Sequence, residues 1–226
     1  MRLPILKRRN IAHETIELMI DLRGSDFLFR PGQYVHIIIP DPKHRDDQGN
    51  ARDFSIVSAP SDREKLVIAF RNSQSAFKRN LSDLPLGTEL EVEGPYGGFT
   101  LPKKSDRPLV FVAGGIGITP FMSMIRHTAE EELPHRIVLL YANSNAERVA
   151  YLSELGELAG MNPNFTFAEH RGHVTSAAVV DAAGEFPSPR FFIAGPPAMV
   201  TGVRATLVNA AFSEDDVIFE EFIGYA

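Results

Sequence analysis

The 226-residue sequence contains no cysteine. Disulfides, thiolate zinc sites, cysteine-held iron–sulfur clusters and thiol nucleophiles are therefore excluded, and any one-electron relay is expected on another protein. No apolar run approaches the ~20 residues that cross a bilayer, and the first ten residues lack the apolar core of a signal peptide. We therefore expect a soluble, cytoplasmic protein without membrane insertion.

The sequence also lacks a basic stripe of the kind that binds nucleic acid. Residues 1–104 contain 16 Lys and Arg against 14 Asp and Glu, whereas residues 105–226 contain 7 against 15. The second half would repel phosphate backbones, so no nucleic-acid partner is expected. Basic clusters at 43–45, 78–79 and 103–104 are either solvated surface or a docking surface for an acidic protein partner.

Short strands separated by turn residues fill the first half, whereas strand, glycine turn and helix alternate in the second. The first pattern is typical of an antiparallel β-barrel and the second of a parallel α/β sheet. A polar segment between prolines, 102–108, is the predicted linker. We thus predict two domains, 1–104 and 105–226. The predicted strands of the first are 3–9, 15–22, 34–39, 52–57, 65–70 and 89–93, with one helix at 73–81.

The segment Arg52-Asp53-Phe54-Ser55-Ile56-Val57-Ser58 places a guanidinium, an aromatic ring and two hydroxyls on one predicted strand. Taken alone, it is equally typical of an ordinary edge strand. The helix predicted after it begins near Ser75 and Ala76, where free amides and the helix dipole favour an anion. The alternative is a plain surface helix.

The apolar strand 109–113 leads directly into Gly114-Gly115-Ile116-Gly117, and Thr119 and Pro120 follow at the predicted N-cap and first position of a helix that ends near residue 132. Glycines permit positive φ and close approach of a ligand, and a helix amino terminus attracts phosphate. Gly195 and Pro196 stand in a similar position after the strand 190–194. The sequence therefore predicts dinucleotide binding in the second domain.

The residues after the strand 137–142 bear on the choice of nucleotide. An acidic side chain there marks NAD, but this strand ends at Asn143-Ser144-Asn145. Ser144 and Arg148 favour NADPH, with NADH possible. Alternatively, Arg148 is an exposed residue of a helix at 147–159. His170 and His173 form a close pair without a third ligand nearby, so no metal site is expected.

Five motifs occur in a fixed order: 52–58, Gly-Pro-Tyr-Gly-Gly-Phe at 94–99, Ala-Gly-Gly-Ile-Gly-Ile-Thr-Pro at 113–120, Ala-Gly-Pro-Pro at 194–197, and Glu-Glu-Phe-Ile-Gly-Tyr at 220–225. The ordered set resembles the ferredoxin-NADP reductase family of flavin-dependent oxidoreductases. The resemblance implies a barrel-like flavin domain, a nucleotide domain, and a reaction in the cleft between them. Phe54 replaces the family's usual Tyr, and Ala194 replaces its usual Cys.

The resemblance also implies roles for individual residues. Arg52 would neutralise the flavin phosphate together with the amides of Ser75 and Ala76. Phe54 would pack on the flavin ring, and Ser55 would donate a hydrogen bond near N5. Glu220 and Phe222 would lie at the flavin face where nicotinamide stacks. Backbone groups of Ile56, Val57 and Ser58 would hold the edge of the flavin ring. The remaining residues implied in cofactor binding are Asp53, Gly114, Gly115, Gly117, Thr119, Pro120, Ser144, Arg148, Gly195 and Pro196.

The expected function is hydride transfer from NAD(P)H to bound FAD, with electrons passing to a separate acceptor such as ferredoxin, flavodoxin or an oxygenase component. Two alternatives remain open. One is a reductase of diffusible acceptors such as free flavin or quinone, and the other is a non-catalytic subunit that binds flavin or nucleotide.

Overall fold

The computed structural model describes residues 1–73, 75–104, 106–184 and 186–223, and its first half is a six-stranded antiparallel sheet. Its elements are β1 (Arg2–Ala12), β2 (Thr15–Asp21), β3 (Tyr34–Ile38), β4 (Ala51–Ser55), β5 (Lys65–Arg71), helix α1 (Ala76–Asp83) and β6 (Glu89–Tyr96). The strand order is β4-β3-β6-β1-β2-β5. A bridge between Ile56 and Ile68 joins the end of β4 to β5, so the sheet curls round on itself into a barrel.

Strand β2 shows why this sheet has two covered faces. Its alternating apolar residues are buried in the barrel, as their period of two predicts. The opposite face is also covered, because Glu17 on that face is only 1% exposed and accepts a hydrogen bond from Arg9 at 2.6 Å. Met19 on the same face packs against the core of the second domain. The second domain therefore covers the face that a barrel alone would leave in water.

The second half is a parallel sheet with helices on both faces. Its elements are β7 (Leu109–Gly114), α2 (Ile118–Glu130), β8 (Ile137–Asn143), α3 (Leu152–Met161), β9 (Phe165–Arg171), α4 (Ser176–Ala183), β10 (Arg190–Gly195), α5 (Pro197–Asn209) and β11 (Val217–Glu221). The five strands lie in the order β11-β10-β7-β8-β9. Alternate residues of the apolar strand β7 enter two separate cores, Phe111 on the α2 side and Val110 and Val112 on the α5 side. The predicted two-domain fold is confirmed.

The strand order places the glycine segments together. The chain leaves β7 towards β8 and β9, then returns to the other side of β7 with β10, so the order reverses between β7 and β10. Ligands of open α/β sheets bind in the crevice at the carboxyl ends of the strands where the order reverses. Gly114 and Gly195 end these two strands.

Several local predictions were wrong. Helix α2 begins at Ile118 after a 3₁₀ turn at Gly115–Gly117, so Thr119 is inside the helix and not its N-cap. Its hydroxyl donates to the Ile116 carbonyl at 2.9 Å. The helix predicted at 147–159 is a 3₁₀ turn at Ala146–Arg148 followed by α3. Strand β6 continues through Tyr96, beyond the end of the predicted strand 89–93.

Candidate functional site

A cavity of about 400 Å³ lies between β4 of the barrel and the carboxy-terminal strand β11. It is lined by eight of the residues predicted from the sequence, and also by Tyr34, Gln48 and Lys78, which sequence reasoning missed. We refer to it as the flavin-side cavity. The eight predicted residues are Arg52, Asp53, Phe54, Ser55, Ser75, Thr119, Glu220 and Phe222.

One end of this cavity is an anion site. The backbone amide of Ala76, in the first turn of α1, donates to Asp46 Oδ2 at 3.0 Å, and Arg52 Nη2 lies 3.6 Å from Asp46 Oδ1. The Asp46 carboxylate stands where an external phosphate oxygen would meet a guanidinium and a helix amino terminus. Arg52 also donates to the Gln48 carbonyl at 2.8 Å and to Gln48 Oε1 at 2.9 Å.

Two further groups make this end of the cavity suitable for a phosphate. Lys78 is 6% exposed, and burial, with the nearby Arg52 charge as a smaller cause, lowers the pKa of its ammonium group to about 8. Ser75 occupies the N-cap position of α1, and among the described residues nothing hydrogen-bonds its buried hydroxyl oxygen. The donor set of Arg52, Lys78, Ser75 and the Ala76 amide fits the phosphates of a flavin nucleotide.

The middle of the cavity is aromatic. Phe54 lines it but is 3% exposed, because its ring packs on Phe77 and Phe70, each with centroids 5.9 Å apart. Arg52 lies over the Phe77 ring at 5.4 Å. An apolar wall beside a cationic end fits a ligand with a flat ring and a phosphate tail.

The second half of the 52–58 segment lies elsewhere. Ile56, Val57 and Ser58 are buried and do not line the cavity. Their backbone groups are bonded within the protein: the Ile56 amide to Gln33, the Val57 amide to Val67, and the Val57 and Ser58 carbonyls to side chains of α2. The structure thus does not bring these three residues to the cavity, and the backbone contacts predicted for them do not follow from it.

Glu220 and Phe222 lie where the carboxy-terminal strand reaches the barrel. Burial, and less strongly the Asp53 carboxylate, raise the pKa of Glu220 to about 7 from a usual value of 4.5. Within the described part of the chain no group hydrogen-bonds its buried Oε2. The Phe222 amide donates to the Gly195 carbonyl at 2.9 Å, which fixes this segment to β10. Gly224 and Tyr225 of the same motif lie outside the described residues.

A second cavity, of about 510 Å³, opens at the carboxyl ends of β7, β8 and β10. We refer to it as the nucleotide cavity. Phe222 lines both cavities, so the two meet at this side chain. The residues predicted from the sequence that line the nucleotide cavity are Gly114, Gly115, Ser144, Arg148, Pro196 and Phe222.

The glycines around this cavity serve different purposes. Gly115 has φ +55°, which favours glycine, and no neighbouring atom lies closer than 3.8 Å to the position of an added Cβ. Gly117 has φ −60°, so the positive φ expected for it is wrong. A Cβ there would lie 2.6 Å from the carbonyl carbon of Ala194 and 2.8 Å from Gly195 Cα. Gly117 therefore permits close packing of α2 against β10, and like Gly195, Thr119 and Pro120 it does not line this cavity.

Arg71 of the barrel also lines the nucleotide cavity, and sequence reasoning missed it. It donates to the Arg148 carbonyl at 2.7 Å, to Asn143 Oδ1 at 3.4 Å and to the Thr15 hydroxyl. Burial, and secondarily the Arg148 charge, lower the pKa of its guanidinium, which still remains cationic. The sequence shows that Arg71 lies at the end of a predicted strand. Because Arg71 is far in sequence from the glycine loop, nothing in the sequence assigns it to the nucleotide cavity.

No group of three or more His, Cys, Asp or Glu among the described residues is arranged to hold a metal ion, and His170 Nε2 is hydrogen-bonded to the His173 carbonyl at 2.7 Å. None of the helices described is both long and apolar enough to cross a membrane.

Comparisons with known proteins agree with this geometry. The family model described as an oxidoreductase FAD-binding domain matches residues 2–101, and the one described as an oxidoreductase NAD-binding domain matches residues 111–205. The chain belongs to the ferredoxin-NADP reductase family. The assignment of FAD and a pyridine nucleotide is confirmed at this level, without a distinction between NADH and NADPH. The boundary predicted between residues 104 and 105 stays a prediction, and Ser105 lies outside the described residues.

Individual relatives have low sequence identity to this chain. The reductase component DmpP of phenol 2-monooxygenase from Pseudomonas sp. strain CF600 is 25% identical over 240 residues, covering 97% of this chain and 66% of its own length. The propane 2-monooxygenase reductase component of Rhodococcus jostii is 26% identical over 217 residues, covering 88% and 56%. The chain thus spans less than two thirds of the length of these relatives.

A solved structure shows the same fold. The cytochrome P450 reductase GcoB of Amycolatopsis superposes with a TM-score of 0.84 at 23% identity, covering 98% of this chain and 70% of that protein.

Proposed function

We propose that this chain transfers hydride from NAD(P)H, bound in the nucleotide cavity, to FAD, bound in the flavin-side cavity. The observation that supports this most directly is the position of Phe222, which lines both cavities. Two ligands held in these cavities would meet at one side chain. Hydride transfer requires that proximity, because the donor carbon and the acceptor nitrogen must come within about 3.5 Å of each other.

The bound flavin would supply the redox chemistry, accepting a hydride and releasing electrons singly. The residues of the chain bind, orient and exclude water. Arg52, Lys78 and the Ala76 amide would hold the phosphates, and Phe54 would support the ring. Phe222 would close the flavin-side cavity until the nicotinamide displaces its ring. Glu220, whose pKa lies near neutrality, would hold or release a proton beside the reacting atoms.

The electron acceptor lies outside these 226 residues in our proposal. The chain has no cysteine to hold an iron–sulfur cluster, and several relatives are named as reductase or electron transfer components of oxygenases. We therefore favour a redox protein or oxygenase component as acceptor. That the protein works in the cytoplasm remains a prediction from composition alone.

The Asp46 contact favours a second candidate, a reductase of diffusible acceptors such as free flavin. The Asp46 carboxylate contacts two of the proposed phosphate donors, the Ala76 amide and Arg52, and so competes with the flavin; a weakly held flavin behaves as a substrate. The non-catalytic alternative has no comparable observation in its favour.

One experiment separates these functions. The visible spectrum of the purified protein would be recorded before and after anaerobic addition of NADH or NADPH. Bound yellow flavin that bleaches supports the main proposal, and colourless protein that turns over only with added flavin supports the second candidate. Flavin that is bound but never bleaches with either nucleotide contradicts both.

A further inference from the structure

The turn between β1 and β2 of the barrel places an acidic side chain at the rim of the nucleotide cavity. Glu14 Oε2 accepts a hydrogen bond from Arg148 Nη2 at 2.7 Å, and Arg148 lines the cavity. These two residues are 134 positions apart in the sequence and belong to different domains. Glu14 does not line the cavity itself, so it acts there through Arg148.

The position of Glu14 is fixed by its backbone. Its φ is +49°, and its carbonyl accepts a hydrogen bond from the Asn72 amide at 2.7 Å. The neighbouring His13 amide donates to the Glu147 carbonyl at 2.8 Å, which holds the turn against the 3₁₀ turn that contains Arg148. These backbone hydrogen bonds hold the turn that bears Glu14 against the turn that bears Arg148, which keeps the two side chains within reach of each other.

Ser144 and Arg148 follow β8, the second strand of the parallel sheet, and both line the cavity. In dinucleotide sites of this topology the residues at this strand end meet the adenosine ribose, where NADPH bears a 2′-phosphate and NADH a hydroxyl. Arg148 is the cation expected to meet that phosphate. In the structure its charge is already balanced by Glu14, and the exposed Glu147 next to it adds a further negative charge.

We propose that Glu14 is a specificity-determining residue that disfavours NADPH. This rests on the proposed function, because it assumes that the adenosine ribose lies at Ser144 and Arg148. A 2′-phosphate would meet a guanidinium that is already paired with a carboxylate, and that carboxylate would repel the phosphate, whereas a 2′-hydroxyl would lose little. The chain therefore favours NADH, although it lacks an acidic residue at the end of β8.

Solvent screening limits how strongly Glu14 can affect the choice of nucleotide. The side chains of Arg148 and Glu14 are 41% and 49% exposed, so water and salt screen their charges. We expect Glu14→Gln to raise selectivity for NADPH over NADH by about two- to fivefold at low ionic strength, and less at high salt. Nearly all of the change should lie in the affinity for NADPH.

The test compares the parent protein, Glu14→Gln and the control Glu91→Gln. Glu91 forms an exposed ion pair with Arg2, also at 2.7 Å, but lines neither cavity, so its replacement makes the same charge change away from the site. Values of kcat/KM would be measured with NADH and NADPH at low and high salt. Dissociation constants for NAD⁺ and NADP⁺ would be measured by calorimetry, which gives a result independent of turnover.

The expected result is that Glu14→Gln binds NADP⁺ more tightly and NAD⁺ unchanged, while Glu91→Gln alters neither. Adding Arg148→Ala should shrink the gain from Glu14→Gln, because the released guanidinium is then missing. Equal changes for both nucleotides, or a parent that already prefers NADP⁺, would overturn the proposal for Glu14. Failure of both nucleotides to reduce flavin would instead contradict the proposed function, and the calorimetry would still decide the role of Glu14.

Discussion

Replacement of Glu220 by Gln should stabilise the protein at neutral and alkaline pH. Burial raises the pKa of this carboxyl to about 7 in the folded protein, from 4.5. The folded state thus binds the proton more tightly than the unfolded state does. The contribution of this carboxyl to stability should be fully present below pH ~4.5, fall as pH rises towards ~7, and stay level above it. At 1.36 kcal/mol per pKa unit, the full loss is about 3 kcal/mol, and partial solvent access reduces it to about 1–3 kcal/mol.

The assay is urea unfolding of flavin-free protein at several pH values, comparing the parent with Glu220→Gln. The difference in unfolding free energy should grow between pH ~5 and ~7 and then become constant. Glu221→Gln is the matched control, since Glu221 is the next residue of β11 and is exposed. If the parent and Glu220→Gln keep a constant difference across this pH range, the Glu220 carboxyl is not destabilised by burial, and its proposed place beside the reacting atoms loses this support.

Three further predictions concern binding and packing. Arg52→Ala should weaken flavin binding by roughly tenfold to a hundredfold, measured by flavin fluorescence, and full flavin retention after dialysis would refute its assignment to the phosphate. Asp46→Asn should have opposite effects on two measurements: flavin binds about three- to tenfold tighter, while the flavin-free protein loses roughly 0.5–1 kcal/mol because α1 loses a charged partner. Gly117→Ala should cost about 1–3 kcal/mol in urea unfolding, since its Cβ would overlap the Ala194 backbone; normal stability with weaker nucleotide binding would restore a direct ligand role.

The architecture was predictable because its signals are local. Alternation in β2, the continuous apolar run of β7 and the glycines after it each reflect the burial of a single strand. The ends of elements were less predictable. Thr119 and Pro120 have the composition of a helix start, but the 3₁₀ turn at Gly115–Gly117 lets the helix begin one residue before Thr119. Whether the helix begins at Ile118 or after a cap at Thr119 depends on how closely α2 packs on β10. No local sequence pattern shows how close that packing is.

The site was predictable only where a motif contained it. Arg52, Phe54 and Glu220 lie in recognisable segments, and all three line the flavin-side cavity. Asp46 and Glu14 occur in exposed loops with ordinary acidic composition, and nothing nearby in the sequence marks their partners. Asp46 pairs with a cation 6 residues away across a turn. Glu14 pairs with one 134 residues away across the domain interface. The preference for NADPH stays a prediction; it considered Arg148 alone, and nothing in the sequence indicates that Glu14 pairs with it.

The segment 52–58 contacts both the flavin-side cavity and the nucleotide domain, and so connects the two cavities. Its first half lines the flavin-side cavity, whereas its second half binds the nucleotide domain. The Ser58 carbonyl accepts from the Ser123 hydroxyl at 2.7 Å, and the Val57 carbonyl accepts from Arg126 at 2.8 Å. Ser123 is fully buried, and Arg126 is held by Glu154 through two further bonds of 2.6 and 2.8 Å.

Both donors belong to α2, the helix that follows the glycine loop directly. The loop that would receive the nucleotide is thereby tied to the strand that would receive the flavin. Each of these hydrogen bonds contributes only about 1 kcal/mol to stability, but together with the packed core around Val57 they leave α2 little freedom to shift. Because hydride transfer loses rate steeply with displacements near 1 Å, this attachment is where the fold sets the relative position of the two ligands.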